Sequence, residues 1–155
     1  MTRFEVITGI AAPPHRVFDL SLDVDVHTAS MAGSGERIVG GISSGRMGLG
    51  DTVTWQAGHF GVRWRMTSCI TALDRPHHFV DEQVAGPFRR WHHAHHFEPD
   101  GRGGTRMRDV VEFAAPLSPL GRLAERLVLD RYMAELIRQR NDHLRTVAEL
   151  APGDP

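Results

Sequence analysis

Lysine is absent: all 18 basic residues are arginine. No side-chain amine is therefore available for Schiff-base chemistry, and the arginine-only basic set reads as a coding bias of the source genome. A single cysteine, Cys69, excludes an internal disulfide. No run approaches the roughly 18–20 apolar residues of a membrane span, and the start, Met1-Thr-Arg-Phe-Glu-Val-Ile, lacks the apolar core of a signal peptide. A cytoplasmic protein is expected. Neither sign of charge dominates, with 18 basic and 19 acidic residues and a formal net charge of -1. Nucleic-acid binding, which draws on a concentrated basic surface, is not expected. The glycines of Gly45-Arg-Met-Gly-Leu-Gly50 match neither a dinucleotide nor a Walker motif and fit a strand connection.

What is present suits one globular domain. The chain has 155 residues, 41% apolar and 24% charged, enough to remove roughly 70% of its unfolded surface from water. Residues 1–150 are assigned to the domain and 151–155, Ala-Pro-Gly-Asp-Pro, to an unpacked tail.

Alternation over Thr2 to Thr8 predicts a first strand, ending at Gly9 and the Ala11-Ala-Pro-Pro14 break. Pro13 and Pro14 suit the first turn of a helix, with Val17, Phe18 and Leu20 to Leu22 as its buried side, and a second short helix is expected over Val26 to Met31. Glu36 to Ala114 reads as about six antiparallel strands separated by glycine or proline. Leu120 to Leu150 is expected to form one long amphipathic helix with Leu123, Leu127, Met133, Ile137 and Leu144 on one side. The order implies an α+β fold in which a curved antiparallel sheet of about seven strands covers that helix and leaves a cavity against it.

Five segments carry a family resemblance in this order: Ala12-Pro-Pro-His-Arg-Val-Phe18, Gly48-Leu-Gly-Asp-Thr-Val-Thr-Trp55, Asp74-Arg-Pro-His-His-Phe-Val-Asp81, Gly86-Pro-Phe88 and Gly103-Gly-Thr-Arg-Met-Arg-Asp109. Over nearly its whole length the chain resembles the START-like or SRPBCC superfamily, most of all its bacterial ligand-binding branch. The resemblance implies the helix-grip fold of the birch pollen allergen. It also implies a lipid, sterol, hormone or polyketide-like ligand, no required metal and, in some members, polyketide cyclase or dehydrase activity.

Strand alternation then selects candidate residues, because positions two apart share a face. The apolar residues set the register and turn Trp55, His59, Trp64, Met66, Ser68, Asp81, Gln83, Trp91, His93, His95, Phe97 and Asp109 inward, with His92, His96 and Cys69 facing out. Aromatic walls with a few polar groups suit a ligand pocket. A buried network in which the histidines and aspartates satisfy one another is the competing reading. Asp130 is a further candidate, either capping the pocket or pairing with Arg126, and Arg89 and Arg90 either meet an acidic ligand or lie on a solvated edge.

His93 or His95 beside Asp109 or Asp81 is the pair that acid–base chemistry would use. His93 and His95 also suit a metal, with Asp81 or Asp109 as third ligand, but no cupin-like spacing supports one, so no metal and no cofactor is assigned. The expected function is binding of a small, mostly hydrophobic or polyketide-like ligand. The alternatives are a cyclase or dehydratase using the His/Asp pair, and a regulatory protein-interaction module. Leu129, Tyr132 and Leu136 lie on one flank of the terminal helix, packed on the sheet or open to a partner, so a monomer and a homodimer are both compatible.

Overall fold

Alternation of buried and exposed residues runs through β1 (Thr2–Ile10), whose Val6, Thr8 and Ile10 are buried while Glu5, Ile7 and Gly9 are exposed. The computed structural model describes residues 1–115, 119–124 and 128–150. The expected tail at 151–155 and the helical positions Arg126 and Leu127 lie outside the described residues. After β1 come α1 (Pro14–Ser21), α2 (Val24–Ser30) and a 3₁₀ turn at Ala32–Ser34. Six strands follow: β2 (Arg37–Gly41), β3 (Thr52–His59), β4 (Val62–Asp74), β5 (His78–Ala85), β6 (Arg90–Pro99) and β7 (Thr105–Ala114). The chain closes with α3 (Pro119–Ala124) and α4 (Asp130–Leu150), so the helix expected over 120–150 is described as two.

The strands form one antiparallel sheet in the order β1-β7-β6-β5-β4-β3-β2. Register shifts between β4 and β5, at Thr67/Ser68 and Ile70/Ala72, mark irregularities of the kind that bend and twist a sheet. At the end of β2, Gly41 has φ 74° and a Cβ there would collide with the Thr52 carbonyl, so this close approach requires glycine. This is the helix-grip fold: a curved seven-stranded sheet, a long C-terminal helix and two short helices after the first strand.

Local chemistry sets the helix ends. Pro14 opens α1 with its φ already helical, and the Asp23 carboxylate caps α2 by accepting from Asp25 N at 2.8 Å and Val26 N at 3.2 Å. In α4 the residues Ala134, Ile137, Asn141, Leu144 and Ala148 recur at spacings of three and four and are buried. That stripe packs α4 on β1, α1 and α2. Its C-terminal end is tied down as Ala11 N donates to Glu149 Oε1 at 2.9 Å and Arg16 Nε to the Ala148 carbonyl at 3.1 Å.

A core of Phe18, Phe79, Phe97, Val17, Ile10 and Met107 fills one end of the space between sheet and helices. A second cluster of Val6, Trp91, Val111, Phe113 and Ile137 fills the other. No helix among the described residues is long and apolar enough to cross a membrane.

Candidate functional site

Between the two clusters lies a cavity of about 330 Å³. Its floor is the concave face of β3 to β6, supplied by Val53, Trp55, Ala57, Trp64, Met66, Ile70, Phe79 and Trp91. Its roof is Leu129, just before α4, and the N-terminal part of α4, with Tyr132, Met133, Leu136 and Ile137. The flank left open by the sequence thus faces the cavity.

Polar residues are confined to a few places. Asp81, His93, His95 and Arg140 meet on the cavity wall, and sheet register explains why. Asp81 of β5 pairs directly with His93 of β6, and Asp109 of β7 pairs directly with His95 of β6. The two histidines are two residues apart on the central strand, so their rings stack at 3.7 Å between one aspartate on either side. The hydrogen bonds run diagonally: His93 Nε2 to Asp109 Oδ1 at 2.8 Å and His95 Nε2 to Asp81 Oδ2 at 2.7 Å. The direct pairs are wider, with His95 Nδ1 3.0 Å from Asp109 Oδ1 and His93 Nδ1 3.6 Å from Asp81 Oδ2.

Asp109 is completely buried and receives further donors from α4. Arg140 Nη1 lies 3.3 Å from Asp109 Oδ1, and Asn141 Nδ2 donates to Asp109 Oδ2 at 2.7 Å and to Thr8 Oγ1 at 3.1 Å. Burial alone would raise a carboxyl pKa, but hydrogen bonds from both histidines and the charges of His93 and Arg140 hold Asp109 well below the ordinary range. Burial likewise works against ionised Asp81, and His93, the hydrogen bond from His95, and Arg140 outweigh it, drawing its pKa to about 2. Burial, then repulsion from His95, pushes His93 down to about 4 against the pull of both aspartates. The site thus sets two ionised carboxylates and one guanidinium around a histidine, His93, whose burial disfavours its charged form.

Two smaller polar contacts stand elsewhere on the wall. His27 Nε2 lies 2.9 Å from Glu36 Oε1 with its ring 4.4 Å from that of Trp55. His59 Nδ1 is 2.7 Å from the Tyr132 hydroxyl, joining the end of β3 to α4. Burial lowers the His59 pKa, opposed by the charge of Glu36.

Of the residues selected from the sequence, Trp55, His59, Trp64, Met66, Ser68, Asp81, Trp91, His93 and His95 line the cavity. Four others do not. Gln83 folds onto the β5–β6 connection, donating to the Phe88 carbonyl at 2.7 Å and accepting from Phe88 N at 3.2 Å. Phe97 is buried against Phe18, ring centroids 5.3 Å apart, in the aromatic core. Asp109 sits behind the histidines, screened by Arg140 and Asn141. Asp130 begins α4, where its carboxylate accepts from Arg131 N at 2.7 Å.

His92 and His96, expected in solvent, are half-buried on the outer sheet face, His96 stacked on His78 at 5.3 Å. Arg90 lies on the same face, 3.8 Å from Glu112. The sequence reading missed Arg140 and Asn141. Their signal was two polar residues on the otherwise apolar stripe of the terminal helix.

The family model described as polyketide cyclase / dehydrase and lipid transport matches residues 1–149. Among solved structures, TTHA0849 from Thermus thermophilus is similar with a TM-score of 0.75 at 21% identity, over 95% of this chain and 99% of that one. The ginseng major latex-like protein 151 from Panax ginseng gives 0.70 at 14% identity, over 97% and 98%. The Zhui aromatase/cyclase from Streptomyces sp. R1128 gives 0.67 at 16% identity, over 94% and 95%. At these identities the likeness is one of fold. No curated protein matches the sequence.

Proposed function

As the chain belongs to the polyketide cyclase / dehydrase and lipid transport family, we propose that it binds one small, mostly hydrophobic molecule in the cavity between the sheet and α4. The observation that carries this is the contrast within the cavity wall. Aromatic and aliphatic side chains form most of it, and a polar set of Asp81, His93, His95 and Arg140 occupies one region. Such walls bury the apolar body of a ligand while a few fixed polar groups orient its head. A polyketide-like molecule, with rings and carbonyl or phenolic oxygens, has that combination. The reading places the protein in the cytoplasm, as a monomer or homodimer with a small-molecule partner.

Native mass spectrometry of freshly purified protein, followed by extraction of anything bound, tests this together with titration by the fluorescent aromatic anion anilinonaphthalene sulfonate. A co-purifying hydrophobic molecule, or saturable dye binding at one site that Ala57→Trp abolishes, is expected. Folded protein with neither property overturns the reading.

A second reading is favoured by one geometric fact: Asp81 lies on the cavity wall hydrogen-bonded to His95. An aspartate–imidazole pair in contact with the ligand is equipped to move a proton to or from a carbonyl compound, as an aldol-type cyclisation and dehydration requires. The fold likeness to an aromatase/cyclase supports the same chemistry. An occupant recovered unchanged after long incubation with the protein leaves binding alone. Conversion that is lost in Asp81→Asn favours the enzyme.

A further inference from the structure

We propose that Asp81, His93 and His95 form a binding site for one first-row divalent transition-metal ion of the zinc or iron(II) class, with its open position directed into the cavity. This goes beyond the ligand-binding reading and does not depend on it. The sequence offered two histidines with no fixed third ligand. The fold supplies one, because β5 places Asp81 opposite His93, and one ligating atom from each of the three residues lies within 4.8 Å of the others. A tetrahedral ion with bonds near 2.0–2.2 Å sets its ligand atoms roughly 3.3–3.6 Å apart. The wider contact, His93 Nδ1 to Asp81 Oδ2 at 3.6 Å, already has that spacing. His95 Nε2 and Asp81 Oδ2, at 2.7 Å, need to part by well under an ångström, which the cavity edge allows because the Asp81 side chain is 20% exposed.

The surroundings of the three residues point the same way. A metal-bound histidine ordinarily gives its other ring N–H to a carboxylate, which fixes its tautomer and orientation. Here both remaining nitrogens, His93 Nε2 at 2.8 Å and His95 Nδ1 at 3.0 Å, meet the same oxygen, Asp109 Oδ1. Asp109 is fully buried and held by Asn141 and Arg140. His93 Nε2 is turned toward this carboxylate, which leaves its Nδ1 on the side of Asp81.

Arg140 is the one opposing charge, with Nη2 3.5 Å from His95 Nδ1. Its nearer partners are Asn141 Oδ1 at 3.1 Å and Asp109 Oδ1 at 3.3 Å, and its charge also reaches Asp81, so it offsets part of the two carboxylates' charge without hydrogen-bonding Asp81. Two carboxylates, one guanidinium and a divalent ion leave one positive charge. An anionic oxygen reaching in from the cavity, such as an enolate, phenolate or carboxylate, completes both charge and coordination. Two imidazoles and one carboxylate with an open position suit zinc or iron(II) and disfavour calcium or magnesium.

The test is equilibrium dialysis of the chelator-stripped, full-length protein against Zn²⁺ and Co²⁺, with bound metal measured by mass spectrometry and the Co²⁺ absorption band recorded. One ion per chain is expected, with a Co²⁺ spectrum of low-coordinate form. Asp81→Asn, on the cavity edge and compatible with folding, should weaken binding at least tenfold. Asp109→Asn should weaken it by about 10–100-fold as a positioning residue, and a His92→Ala/His96→Ala variant on the outer face should bind as wild type does. Folded wild-type protein that takes up no ion overturns the proposal, as does undiminished binding in Asp81→Asn, which would assign the metal to surface histidines. Dye binding by the stripped protein is read separately, so loss of the metal proposal leaves the ligand reading standing, and the reverse holds equally.

Discussion

Asp109 shows how one residue can govern a site it does not line. It is fully buried, ionised, and accepts from His93, Asn141 and Arg140. Removing its carboxylate takes from buried Arg140 the anion it hydrogen-bonds, and breaking a buried pair from one side costs about 3–5 kcal/mol. Asp109→Ala is therefore expected to lower unfolding stability by that order in urea titrations, with Arg140→Met in the same chain restoring part of the loss. A loss below about 1 kcal/mol would show that the guanidinium finds other partners. Alternation marked Asp109 as inward, and it is inward. The sequence did not tell a residue that touches a ligand from one lying behind those that do, since this depends on Arg140 and Asn141 descending from a helix some thirty positions later.

At the scale of elements, the tip between β3 and β4 has an uncommon backbone. Phe60 and Gly61 both have positive φ, 53° and 71°, the form of a two-residue hairpin turn in which asparagine or glycine normally takes the first position. Keeping an aromatic residue there costs on the order of 1 kcal/mol. The ring is largely exposed yet lies 4.5 Å from that of Tyr132 on α4, at the rim of the cavity, a contact worth about 0.5–1.5 kcal/mol. Since the two nearly cancel, Phe60→Asn should leave stability almost unchanged. It should speed dye dissociation several-fold in stopped-flow measurements, whereas an unchanged rate would remove Phe60 from any part in closing the mouth.

The Asp19 link gives a second element-level expectation. Asp19 of α1 receives Arg75 at 2.6 Å and Arg46 at 2.9 Å, and its pKa is lowered chiefly by the hydrogen bond from Arg75, against a smaller effect of burial. A carboxylate with a depressed folded pKa contributes stability above its unfolded value and loses it as pH falls through the folded one. Both arginines are half-exposed, so the contribution is about 0–1 kcal/mol. The gap between wild type and an Arg46→Ala/Arg75→Ala variant should be constant from about pH 5 to 8 and close in more acid solution. A gap that persists there would assign the effect to packing.

Element order was legible because β1 alternates cleanly and the breaks between successive strands carry glycine or proline. The extent of the last helix was less so. One apolar stripe runs from 120 to 150 in the sequence, but among the described residues full burial in α4 starts at Ala134, Leu129 and Met133 pack in part against the Trp91 and Phe113 cluster, and Leu129 and Leu136 also line the cavity. Periodicity identifies an apolar face and is silent on whether a neighbour or an empty volume lies opposite.

For the molecule as a whole, that distinction becomes a thermodynamic statement. The C-terminal part of α4 is fixed by its buried stripe, by the contacts of Ala148 and Glu149 with the β1–α1 region, and by Arg140 and Asn141. Its N-terminal part rests over about 330 Å³ that the protein itself does not fill. A molecule that binds only this folded arrangement stabilises it by about 2.7 kcal/mol at a hundred times its dissociation constant. For a chain of 155 residues, where each kcal/mol shifts Tm by about 2–4 °C, the expected rise is roughly 5–11 °C. Ala57 is buried in the cavity floor, so Ala57→Trp places an indole in the same volume and should abolish the ligand-dependent rise while the protein stays folded. If saturating dye raises Tm equally in wild type and Ala57→Trp, the dye binds elsewhere, and the space beneath α4 is a packing defect of the fold and not its binding site.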